Sequence, residues 1–190
     1  DACNAADVRY RLVQEEGDAF KLMLSYSRYH DVTVFGLRSV FEYFFEGEDS
    51  SHLLERFIRG GVRPIVAVSS SHRPINRVLI AYSGSIESAK AMRRFVQLGL
   101  WPDIELKVVT FSDCKESPET LLAQARDYCR AHGYEVETEA IPAPSRIELL
   151  PYAAHVDADM IVMGNSARHL LVKRVFGETV LHVMKSAERP

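Results

Sequence analysis

The chain has 190 residues, 47% of them apolar, and a formal charge of −3, so it can bury a sizeable core and lacks the basic excess of a general nucleic-acid or anionic-membrane binder. No apolar run approaches the ~20 residues of a membrane-spanning helix, and no signal-peptide pattern opens the sequence. Cys3, Cys114 and Cys129 are odd in number and lack CxxC spacing, which argues against a disulfide framework or zinc site and fits a reducing cytoplasm.

In chain order, residues 8–13 (Val-Arg-Tyr-Arg-Leu-Val) alternate and predict a strand. Residues 19–29 predict a helix with Leu22, Met23, Tyr26 and Tyr29 on one face, and residues 31–36 (Asp-Val-Thr-Val-Phe-Gly) a second strand. An aromatic, acidic loop follows, then a helix over 53–59, a strand over 64–68 (Pro-Ile-Val-Ala-Val) and a linker over 69–74. From Asn76 the alternation is regular: strands over 78–82, 106–111, 136–141 and 159–164, with helices over 85–98, 118–132, 146–156 and from Gly177. Ser117-Pro118 predicts a cap with a first-turn proline, Ser145-x-x-Glu148 a capping box, and Pro151 a kink or shortening of its helix. This alternation implies an α/β fold, a parallel sheet with helices on both faces.

The early segment repeats the late one. Val8, Leu22, Asp31, Val34 and Gly36 each recur 128 positions later, as Val136, Leu150, Asp159, Val162 and Gly164. The shared order of strand, helix, strand-Gly, loop and helix reads as duplication. Residues 76–133 have no counterpart in the first copy, and the strand over 65–68 has none in the second. The expectation is a longer tandem protein, or a dimer, with residues 1–71 unable to fold alone and residues 65–68 buried at the junction between the halves.

The stretch with most chemistry is 159–180. An apolar strand ends at Gly164, a loop carrying Arg168, Lys173 and Arg174 follows, and Gly177 opens a helix. A glycine-bounded cationic loop at a helix start suits phosphate, because free N–H groups and the positive helix end converge there. The other candidates read more plainly. The seven histidines have no ligand spacing and read as packing residues, and Cys114 as a loop thiol.

With these residues placed, the chain resembles the universal stress protein family, and in particular its tandem members. The resemblance implies an adenine-nucleotide α-hydrolase-like fold, with residues 1–71 as the back half of a first domain and 72–190 as a nearly complete second. The family's nucleotide motif, Gly-x2-Gly-x9-Gly-Ser/Thr, falls on Gly164, Ala167 and Gly177, with Glu178 at the hydroxyl position and Thr179 one later. Its members that bind ATP usually carry Asp after the first strand, where this chain has Ser83 following Ala81 and Tyr82, and the adenine-contacting position falls near Phe111. The resemblance thus implies ATP as ligand, with Mg only alongside it, held by Ala81, Ser83, Phe111, Gly164, Ala167, Arg168, Gly177, Glu178 and Thr179. It implies a regulatory or binding role in a cytoplasmic homodimer or pseudo-dimer of the two halves.

Two departures weigh on that expectation. If position 167 needs a positive φ, alanine costs roughly 1 kcal/mol, under tenfold in affinity. Glu178 sets a carboxylate against the phosphates, and like charges ~4 Å apart at a surface cost up to ~4 kcal/mol before salt screening. Two alternatives therefore stay open. One is an ATP pyrophosphatase-like enzyme, since residues 83–88 (Ser-Gly-Ser-Ile-Glu-Ser) resemble a degraded Ser-Gly-Gly-x-Asp-Ser loop, although Ser85 reads better as a helix cap. The other is an interaction module that binds no nucleotide.

Overall fold

A computed structural model describes residues 2–36, 64–68, 72–112 and 117–164. The expected helices over 53–59 and from Gly177, the aromatic acidic loop, the cationic loop and Cys114 lie outside the described residues. In chain order the elements are α1 (Ala2–Ala5), α2 (Ala19–Ser27), β1 (Thr33–Gly36), β2 (Ile65–Val68), β3 (Arg77–Ala81) and α3 (Ile86–Leu98). β4 (Glu105–Phe111), α4 (Pro118–Ala131), β5 (Val136–Ile141), α5 (Ser145–His155) and β6 (Met160–Met163) complete the series.

Strands β3 to β6 form one parallel sheet in the order β5-β4-β3-β6. Its centre is β3, whose Val78, Leu79 and Ile80 are almost wholly buried. Alternate residues feed two cores. Val78, Ile80, Leu106 and Val108 pack with Met92, Phe95 and Val96 of α3 and with Leu121, Ala125 and Cys129 of α4. Leu79, Val109, Phe111 and Ile141 pack with Leu149, Tyr152 and Ala153 of α5. Helices therefore cover both faces, because a strand's side chains alternate and both sets here are apolar. Each fully buried Leu or Ile stabilises by about 1.5–3 kcal/mol.

A carboxylate fixes the entry to β3. Buried Asp159, just ahead of β6, accepts bonds from the Asn76 and Arg77 N–H groups at 3.0 Å each, and the Arg73 guanidinium lies 3.1 Å from its other oxygen. Its own N–H donates to the Arg77 carbonyl at 2.8 Å. The linker, β3 and β6 are thus tied together at the amino end of the sheet.

The first half contributes a separate parallel pair, β1 with β2, in the register Thr33↔Ile65 to Gly36↔Val68. Val66 and Ile75 pack against the α3–α4 core, so β2 does lie against the second half. It is half-buried there, not buried as expected.

Three local expectations need correction. Residues 8–13 are not a strand: they take no regular secondary structure, and Leu12 is 84% exposed. Alternation suits a ladder, but no described strand lies beside this segment to supply one. The capping box at Ser145 does not form, because the helix begins one residue early with Pro144 at the cap position, where no side chain bonds. The Pro144 carbonyl takes the N–H groups of Ile147 and Glu148 instead. Pro151 does not shorten its helix, which continues to His155 with Pro151 on the exposed side. There the lost N–H bond leaves a carbonyl open to water.

Replacing Asp159 with Ala should lower the urea midpoint by an amount equivalent to about 3 kcal/mol, since charge-assisted bonds to two backbone donors are lost together. A change below ~0.5 kcal/mol in equilibrium unfolding would show the clamp to be dispensable. Burial pushes the Cys129 thiol up to about 11. It should therefore resist maleimide at pH 8 in the native protein and react on unfolding, while the half-buried Cys3 reacts early.

Candidate functional site

In the order β5-β4-β3-β6 the chain runs outward from β3 to β5 and then returns to the far side of β3. The strand order thus reverses between β3 and β6, and sheets of this kind take ligands in a crevice outside the carboxyl ends of the strands at such a reversal. Ala81 pairs with Met163 at this end of the sheet. Ser83 follows on one side and Gly164 on the other.

Tyr82 anchors the β3 exit by donating its N–H to the Val109 carbonyl at 2.8 Å while its ring joins the α3–α4 core. Gly84 has a φ of 71°, and a Cβ there would meet Leu121 Cδ2 at 2.7 Å, so glycine is required on both counts. Ser85 then caps α3, accepting from the Ser88 N–H at 3.2 Å. The three hydroxyls of the loop are engaged with one another. Ser83 Oγ donates to Ser85 Oγ at 3.0 Å, and Ser88 Oγ donates to the Ser85 carbonyl at 2.9 Å. Ser88 Oγ also accepts the Ser83 N–H at 3.3 Å. Of the three serines, only Ser83 is exposed.

Gly164 meets this loop directly. A Cβ on it would fall 2.3 Å from the Ser88 nitrogen and 2.4 Å from the Glu87 carbonyl carbon, both of them backbone atoms that cannot swing aside. The glycine ending β6 thus serves close approach between the strand end and the first turn of α3. That contact, together with the Ser85 cap, occupies the turn where a pyrophosphate loop would need free N–H groups. Glu87, also in this turn, adds a carboxylate that complements the helix dipole and disfavours an anion.

Of the sequence-predicted site residues, the structure brings Ala81, Ser83 and Gly164 together. The Ala81 side chain packs against the α5-side core, so it offers the crevice main chain only. Phe111, at the end of β4, is 4% exposed within that same core and pairs with Ile141; its ring is a packing element and does not face the crevice. Ala167, Arg168, Gly177, Glu178 and Thr179 lie outside the described residues. Sequence reasoning missed Ser88 as the hub of the serine cluster; the Ser-x-x-Ser spacing of 85 and 88 is the signal that would have found it.

The sequence profile of the universal stress protein family matches residues 115–190. A universal stress protein of Synechocystis sp. is 24% identical over 162 residues, 84% of this chain and 56% of that protein. The chain thus spans little more than half the length of that relative. A universal stress protein of Archaeoglobus fulgidus shares the fold at a TM-score of 0.63 and 18% identity, over 83% of this chain and 59% of that one. A universal stress protein in complex with cAMP matches at 0.52 and 24% identity, over 62% of this chain and 94% of its own. The chain is thus similar to universal stress proteins, whose family profile its residues 115–190 match. Its fold is that family's parallel α/β sheet with helices.

Gly164→Ala should cost about 3 kcal/mol or more by overpacking against backbone, whereas Ser85→Ala should cost about 1 kcal/mol as a lost cap. Thermal unfolding of the two variants gives the comparison, and equal costs would contradict the close-approach role of Gly164.

Proposed function

We propose that this protein binds an adenine nucleotide in the crevice between the carboxyl ends of β3 and β6, in a regulatory role without turnover. The observation that supports this reading is the strand-order reversal between β3 and β6, with Ser83 following one strand and Gly164 the other. The cationic loop beginning at Asn165 continues directly from Gly164, so Arg168, Lys173 and Arg174 lie in the segment that leaves the crevice. The cAMP complex of a protein with the same fold supports an adenine ring and a phosphate as the ligand's two ends.

The serine loop supports binding over hydrolysis. Its hydroxyls bond one another and the cap of α3, and among the described residues no printed bond pairs one with a histidine or carboxylate that would activate it. Ser83 is neutral, so a ribose hydroxyl meeting it finds a weaker acceptor than a carboxylate. Together with Ala167 and Glu178, this predicts weaker binding than the unaltered motif would give.

Calorimetry with ATP and magnesium, and separately with cAMP, should show binding that Gly177→Val abolishes by filling the space beside the phosphates. The double variant Ala167→Gly, Glu178→Ser should tighten ATP by at least about tenfold, the sum of relieved backbone strain and removed repulsion. Absence of heat from both the natural and the restored protein would remove the nucleotide reading. Steady release of AMP and pyrophosphate, lost in Ser83→Ala, would establish an enzyme in its place.

A further inference from the structure

The hydroxyl oxygens of Ser83, Ser85 and Ser88 form a triangle with sides of 3.0, 3.2 and 3.3 Å. Each hydroxyl has one proton, so the three protons can be placed from the acceptors within reach. The Ser85 carbonyl can only accept, and it lies 2.9 Å from Ser88 Oγ, so the Ser88 proton goes there. Ser88 Oγ then acts as an acceptor, for the Ser83 N–H at 3.3 Å and the Ser85 hydroxyl at 3.2 Å. Ser85 Oγ accepts the Ser88 N–H at 3.2 Å. Ser85 and Ser88 are buried, at 6% and 3% exposure, so their protons stay within the protein.

Ser83 is the exposed member, yet its proton is also claimed from within. It has two inner acceptors, Ser85 Oγ at 3.0 Å and Ser88 Oγ at 3.3 Å, and the shorter contact falls in the usual hydroxyl range. Whichever it takes, the proton turns into the triangle and the outer side of Ser83 Oγ carries lone pairs alone. The backbone holds the group in this pose. Tyr82 before it is fixed by its N–H bond to the Val109 carbonyl and by its buried ring. Gly84 after it has a φ of 71° and no room for a Cβ.

We propose that Ser83 selects its ligand as a hydrogen-bond acceptor only, taking a donated sugar hydroxyl, and that Ser88 is the positioning residue that keeps the Ser83 proton turned inward. This rests on the nucleotide reading above and adds the polarity of one contact to it. A phosphate or carbonyl oxygen at the same place can bond Ser83 only by drawing its proton out of the triangle, which breaks an existing bond. A group that donates meets no such cost. The preference is worth about fivefold in affinity, the size of one neutral hydrogen bond.

Two measurements test this. Neutron diffraction from a deuterated crystal of the ligand-free chain locates the three hydroxyl deuterons. The Ser83 deuteron should point at Ser85 Oγ or Ser88 Oγ, and a deuteron directed to solvent would overturn the proposal. Calorimetry then compares ATP with its 2′-fluoro-2′-deoxy and 3′-fluoro-3′-deoxy analogues, since fluorine replaces a hydroxyl with little change of size and cannot donate. At least one analogue should bind about fivefold more weakly than ATP. Ser83→Ala should lose about the same factor for ATP and treat all three ligands alike. In Ser88→Ala, Ser85 and Ser83 are left with a single bond to share, so the Ser83 proton is freed in part of the molecules. The ratio of ATP to analogue should then fall below about twofold, whereas a merely structural role for Ser88 would weaken all three ligands equally. Equal affinities in the natural chain, or an unchanged ratio in Ser88→Ala, would overturn the proposal. Absence of heat from ATP itself is a different failure, which removes the nucleotide reading and the sugar contact with it, whatever the neutron map shows.

Discussion

Strand β3 is paired on both edges, and the second half is organised around making that possible. A parallel strand buried on both faces and both edges has no water for its polar groups, so its ends must be positioned as strictly as its middle. At the entry, Asp159 takes the N–H groups of Asn76 and Arg77 and brings Arg73 with it, which sets the register of β6. At the exit, Gly164 lets β6 run close against the first turn of α3. Without the first, β6 has no fixed start. Without the second, α3 and β6 cannot both approach β3.

Most of the second half could be read from its sequence because each element there is consistent with its neighbours. Residues 136–141 alternate, and β4 is present to pair with them, so the predicted and observed strands coincide. Residues 8–13 alternate equally well but form no strand, since strand formation depends on what lies alongside. Helix starts fared according to whether the cap is local. Ser85 caps as its spacing predicts, but at Pro144 the extended backbone of the proline sets the start one residue ahead of Ser145, and the capping box is not formed. The ring of Phe111 shows a different limit. Its position at a strand's carboxyl end is legible, but which sheet face it takes depends on the register of the whole strand.

Glycine illustrates how one residue type carries different constraints. The sequence suggests backbone freedom at Gly164, whereas the structure uses the missing Cβ for contact with Glu87 and Ser88. Gly84 uses both properties, with a positive φ and the Leu121 side chain beside it. The serine cluster between them has a related economy. Ser85 and Ser88 are buried polar groups and each requires partners, so they bond to each other and to the backbone. That leaves Ser83 as the exposed hydroxyl of the loop.

Gly164 follows β6, and in the first half Gly36 ends β1. The residues after it differ in kind. At the spacings where Ala167 and Gly177 follow Gly164, the first copy has Ser39 and Asp49, and Glu46 and Glu48 precede Asp49. Carboxylates there would repel phosphate where Arg168, Lys173 and Arg174 attract it. The two halves touch through Val66, which packs against the α3–α4 core. The linker adds a second tie, since Arg73 reaches Asp159, the residue that fixes the start of β6.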